Sequence, residues 1–161
     1  MSKEIFLPTN RNADRPIAYL QEHGNLRALI DSGARFPVWM SDITTLTALG
    51  GKLFKKEVSY SGIGGPTIGD IYKIPNLILG TKTNALIFPE LPVVTNTEFA
   101  DAPFELLLSN TMFNNLDILI SNKRHSVTVY LDDTDSNVRN AIVNLDDGFQ
   151  VLFTGVKQKA S

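Results

Sequence analysis

No cysteine occurs in the 161 residues, which excludes structural disulfides, thiol nucleophiles and cysteine-ligated metals. Histidine is nearly as scarce. The two present, His23 and His125, have no clear companion acid, so both are expected at the surface in turns or strand ends rather than at a metal or proton-transfer site. No run approaches the roughly 18 apolar residues that a spanning helix requires. The opening MSKEIFLPTNRNADRP has no apolar stretch long enough for a signal peptide. A cytoplasmic location and no membrane partner are therefore expected. Charge of one sign is also missing: the formal net charge is -2, and the adjacent cations Lys55-Lys56 and Lys123-Arg124 are too short a pair each to attract nucleic acid. The glycines complete neither G-x-G-x-x-G, because Thr67 breaks it, nor a phosphate-binding P-loop. No cofactor is expected. Asp133, Asp135 and Asn137 alternate like calcium ligands, but Val138 and Asn144 stand where such a loop needs glycine and glutamate.

What is present is an ordinary globular composition, 43% hydrophobic and 20% charged, of a length that suits a single domain over 1-161. Prolines and glycines cut the chain into short apolar runs: IAYLQ, LRALI, FPVWM, DIYKI, NLILG, ALIF, LPVV, ELLL, DILI, VTVYL and FQVLF. Rich in β-branched and aromatic residues and bounded by Gly, Pro, Asn or Asp, they read as strands of a mostly-β protein. Three short helices are expected: Asp42 to Leu49 with Ser41 as cap, Asn110 to Asn115, and VRNAIVNL behind Ser136, the last ended by Asp146-Asp147-Gly148 and followed by a strand, FQVLFTG. The first dozen residues and the last five are expected to be loose. Trp39 is assigned to the core.

Three segments have the residue types of a reactive site. ALIDSGA, Ala28 to Ala34, puts a carboxylate at the end of an apolar run, followed by a small hydroxyl residue and a glycine that lets the backbone turn beside it. An acid is costly there unless it has a task. Downstream, in EVSYSGIGGPTIGDIYKI, two β-prone runs flank Gly62-Ile63-Gly64-Gly65, a hairpin whose glycine-rich tip suits a lid. FELLLSNTMFNNLDILI, Phe104 to Ile120, then gives an aliphatic strand, a short helix and the first arm of a closing hairpin.

In order and spacing these segments resemble the retropepsin-like (retroviral-type) aspartic proteases over about 15-131, with 132-161 as a C-terminal helix-strand extension. The resemblance implies a closed, barrel-like acid-protease fold. It implies Asp31 as the catalytic carboxylate, Ser32, Gly33 and Ala34 as support of the active-site loop, Ile63 and Gly64 as flap contacts to a peptide or protein substrate, and Gly62 and Gly65 as the flap's bending points. Ser109 departs from the family, which has glycine there, and Arg35 and Asn110 stand where retroviral members have an ion pair. Since the chain has one Asp-Ser-Gly and carboxylate-driven peptide hydrolysis uses two acids, the expectation is a homodimer. The competing expectation is a non-catalytic binding or assembly module with the same fold, for which Ser109 and Arg35 would be the signs.

Overall fold

Alternation of apolar and polar side chains, with few helix-favouring stretches, produces a chain made almost entirely of strands. The computed structural model describes residues 3-10, 15-31, 34-62, 65-82, 84-96, 102-113, 116-131, 138-144 and 150-157. In order the strands are β1 (Lys3–Pro8), β2 (Ile17–Leu20), β3 (Leu26–Asp31), β4 (Val38–Trp39), β5 (Lys52–Gly62), β6 (Gly65–Thr81), β7 (Asn84–Thr95), β8 (Leu106–Ser109), β9 (Asp117–Ser121), β10 (Ser126–Leu131), β11 (Val138–Asn144) and β12 (Gln150–Lys157). One helix, α1 (Ile43–Ala48), follows β4, and 3-10 turns occupy Gln21–His23 and Asn110–Phe113.

The strands form two sheets, not the closed barrel expected from the sequence. Three strands pair in the order β1-β10-β9. The larger sheet runs β11-β12-β7-β4-β8-β3-β2, with β6 on the other side of β7 and β5 paired to β6. Among the described residues no ladder joins its two ends. An isolated bridge, Thr9 to Ala18, ties the small sheet to β2.

Three local expectations are corrected. The N-terminal dozen is not loose throughout, because Ile5 and Leu7 are fully buried and β1 pairs along its length with β10. Burying side chains of this size is worth about 1.5–3 kcal/mol each, which offsets the entropy of ordering a terminal strand. Prolines do not end the strands around them either. β6 runs through Pro75, and β7 through Pro89 and Pro92. These two lie between the stretches of β7 that pair with β12 (Leu86, Ile87) and with β4 (Val94, Thr95), where only the β6 ladder needs donors. Proline is tolerated where its missing N–H faces away from a ladder. Finally, Val138–Asn144 is a strand and not a helix. Its spacing of Val138 and Ile142 fits either element, and pairing with β12, which puts Val143 opposite the buried Val151, decides for the strand.

α1 is capped by Asp42, not Ser41. The Asp42 side chain accepts the Thr45 N–H at 2.6 Å, and the hydrogen bonds from Thr45 hold its carboxyl below the usual value. Trp39 is fully buried and donates its indole N–H to the Asp42 carbonyl at 2.9 Å, so it belongs to the core.

Candidate active site

The sequence LRALID alternates so that Leu26, Ala28 and Ile30 enter the core, and the strand carries Asp31 to its C-terminal end, where it is partly buried. β3 pairs in parallel with β8, and the register sets Asp31 opposite Ser109. The chain then turns back and returns as β4 on the far side of β8, antiparallel to it. β8 is thus gripped between two strands that are neighbours in sequence. A parallel pair of this kind needs a long crossover, and here the chain between β3 and β8 includes α1 and β5 to β7.

Two sets of polar contacts fix the joint. At its start Arg27 donates Nε to Glu105 Oε2 at 2.9 Å, and the Arg27 N–H reaches Oε1 at 3.2 Å. The hydrogen bond to Glu105 raises the guanidinium pKa further. At its end Ser109, fully buried, bonds through Oγ to Thr111 Oγ1 at 2.8 Å, and Thr111 donates to the Arg35 carbonyl at 2.6 Å. Because the single hydroxyl proton of Thr111 is committed to that carbonyl, Ser109 must be the donor to Thr111. The serine that replaces the expected glycine therefore fits without an unsatisfied group.

Residues 34 to 37 are held by three different parts of the fold. The Ala34 carbonyl accepts from Asn110 N–H at 3.0 Å, Arg35 from Thr111 as above, and Pro37 from Val94 N–H at 3.0 Å. Phe36, buried, lies edge-on to Phe153 with ring centroids 5.3 Å apart. Beside Asp31 a pocket of about 230 Å³ is lined by Ile30, Asp31, Ser109, Asn110, Phe113, Leu116, Ile118 and Ile120. Its polar groups gather at the carboxylate, and β9 supplies an apolar wall.

Gly62 and Gly65 are paired at the end of the β5–β6 hairpin, and Ile63 and Gly64 between them lie outside the described residues. Ser32 and Gly33 lie outside them as well, as do Asp133, Asp135 and Asn137. Ala34 is described, and its N–H closes a turn on the Asp31 carbonyl at 3.2 Å. Arg35 and Asn110 are exposed, and both serve the site through backbone groups. His23 differs from the surface residue expected. It is half-buried, and its Nε2 accepts the Ile78 N–H at 2.9 Å, so the neutral ring carries its proton on Nδ1. Burial lowers its pKa, with Glu22 opposing. Thr111, Phe36, Phe153 and the Arg27–Glu105 pair went unsingled by sequence reasoning, because each acts through a partner distant in the chain. Only Thr111, a hydroxyl residue at a short helical turn, had a local signal. Among the described residues no cluster of His, Asp and Glu could hold a metal ion, and no helix is long and apolar enough to cross a membrane.

No protein-family model and no curated protein matches the chain. Among solved structures it is similar to a retropepsin-like aspartic protease from Rickettsia conorii, with a TM-score of 0.50 and 14% identity over 81% of this chain and 92% of that one. At that identity the likeness is one of fold, and it agrees with the mostly-β architecture described above.

Proposed function

We propose that the chain is an aspartic endopeptidase that works as a homodimer, with one Asp31 from each subunit. The observation that carries this reading is the position of Asp31: it ends a parallel strand pair, opens on a pocket, and is followed by a segment held at four successive residues. A carboxylate on a backbone held so firmly nearby suits a reaction that depends on its distance to a second one. Two such groups a hydrogen bond apart share one proton, because two like charges at that distance are costly. The ionised member takes a proton from a water held between them, and the water attacks the peptide carbonyl. The protonated member stabilises the developing oxyanion, and a proton is then delivered to the leaving nitrogen. Ser32 and Gly33 would hold the paired loops, and the glycine-rich hairpin end, Gly62 to Gly65, would cover an extended substrate bound as an added strand.

The dimer reading is supported by β9. Among the described residues this strand pairs only with β10, and Leu119 and Ile120 are 52% and 40% exposed. An apolar strand edge of this kind favours pairing with another chain. Its residues Ile118 and Ile120 also line the Asp31 pocket. Antiparallel pairing of β9 with its copy about a twofold axis would cover this edge and bring the two pockets together.

The test is cleavage of a mixed peptide library by the wild-type chain and by Asp31→Asn, at concentrations spanning the monomer–dimer transition followed by sedimentation. Cleavage by the wild type alone, rising with the dimer fraction, is the expected result. Equal cleavage by both proteins, or full activity in the monomer, would overturn the proposal.

A further inference from the structure

The C-terminal hairpin of β11 and β12 is joined to the rest of the large sheet by a short ladder, Val156 to Ile87 and Lys157 to Leu86. Its apolar residues nevertheless reach well beyond that ladder. Phe153, Val151 and Val143 are all buried, within the same core cluster as Phe36, Met112 and Phe113. Both strands of the hairpin pack against the 3-10 turn Asn110–Phe113. That turn supplies two of the bonds that hold the segment after Asp31, through Asn110 N–H and Thr111 Oγ1. Phe153 holds the same segment directly, ring against ring with Phe36. An edge-on aromatic pair fixes a ring direction that an aliphatic contact would not. Of the four restraints on residues 34-37, three come from the turn and β7, and the fourth comes from this hairpin. Gly155 explains how the hairpin lies so close: a Cβ there would come within 3.2 Å of Leu86 and 3.3 Å of Phe88, the neighbouring side chains of β7.

We propose that the β11–β12 hairpin is a positioning element of the active site, with Phe153 setting, through Phe36, the path of the backbone that follows Asp31. Its effect on turnover rests on the protease reading, whereas its restraint on residues 34-37 can be measured without any activity.

The experiment compares Phe153→Ala, Phe153→Leu and, as a core control, Ile5→Ala. Ile5 is fully buried in β1, whose main packing partners are β10, β2, β6 and β7 rather than the turn after β8 or the C-terminal hairpin. Amide hydrogen exchange is read at Asn110 and Val94, the two N–H groups bonded to the carbonyls of Ala34 and Pro37, with denaturation supplying the global stability of each variant. In Phe153→Ala these two amides are expected to exchange about tenfold faster or more than in Ile5→Ala at matched stability. Peptide turnover should show kcat reduced about tenfold with KM within about twofold, as for a displaced but intact catalytic group. Phe153→Leu should recover part of both, and Ile5→Ala should leave kcat unchanged. Exchange at Asn110 and Val94 no faster in Phe153→Ala than in Ile5→Ala would overturn the proposal. If the wild type cleaves nothing, the protease reading falls alone and the exchange comparison still decides this one.

Discussion

The segment that follows Asp31 and the β5–β6 hairpin are held in opposite ways. Residues 34 to 37 are anchored one by one, to the turn after β8, to Phe153 and to β7. The hairpin has a regular stretch near its glycine end but breaks register between Leu53 and Lys55 and again between Lys55 and Val58. At that break Glu57 adopts a left-handed φ of 55°, and its N–H goes to Asp70 Oδ1 at 3.0 Å in place of a ladder bond. Its outer surface is sparsely covered. Ile68 is 72% exposed, and Phe54, 46% exposed, has the Lys73 ammonium over its ring at 3.9 Å. The inner face is different, with Val58, Tyr60, Ile71 and Ile74 in the core. On the proposed reading the difference has a purpose: a reactive carboxylate needs its backbone determined several times over, whereas a covering hairpin needs a firm base and freedom beyond it.

The contrast can be broken from either side. On the proposed function Asp31→Asn should have the largest effect: cleavage of the peptide library is expected to be lost, while the thermal midpoint should move by less than about 3 °C, because the amide keeps the size of the carboxylate. A large drop in the midpoint would make Asp31 a structural residue. Gly69→Ala tests the base of the hairpin, since a Cβ there would run into the Thr95 carbonyl oxygen. Forcing β6 off β7 should cost up to about 3 kcal/mol in urea denaturation. A neutral outcome would mean that the base is as loosely held as the outer surface. On the other side, Thr111→Val strands the Ser109 hydroxyl, which is sealed from water, and removes the donor to Arg35. A loss of about 1–2 kcal/mol is expected, with Thr111→Ser restoring most of it.

The smallest effect concerns His23, which lies apart from both regions: it stands between β2 and β3 and accepts from Ile78, in the part of β6 that pairs with β7. Its folded pKa lies below 6.5, chiefly through burial. Below pH 6.5 the unfolded chain therefore takes up the proton first. The stability that His23 contributes is fully present above pH 6.5 and is lost as pH falls from there toward the folded pKa. His23→Gln should flatten this part of the profile of thermal midpoint against pH, and an unchanged slope would show that the His23–Ile78 contact adds no pH-dependent stability.

Much of this architecture was legible from local pattern. LRALID announces a strand that delivers an acid to its end, and the glycines after Tyr60 announce a hairpin. The run Leu106 to Ser109 followed by Asn-Thr marks a strand that passes into a turn. Legibility fails where distant partners decide. KEIFLP reads as a loose terminus until β10 lies beside it, and VRNAIVN satisfies the helical period until β12 pairs with it. The sheet stays open where a barrel was expected, because closure depends on which strands meet at the edges and no single strand encodes that. At the site, the sequence points to Asp31 but not to what holds its surroundings: nothing near Phe36 names Phe153, and nothing near Arg27 names Glu105.

The parallel pairing of β3 with β8 has a consequence in time. Arg27 and Glu105, which begin that joint, are 78 residues apart, and contacts of such separation form only after a large loop entropy has been met. A growing chain holds Asp31 long before Ser109 exists to stand opposite it. The carboxylate therefore matures late, after the intervening strands have been made, and a chain stopped short of β8 carries the acid without the place that gives it direction.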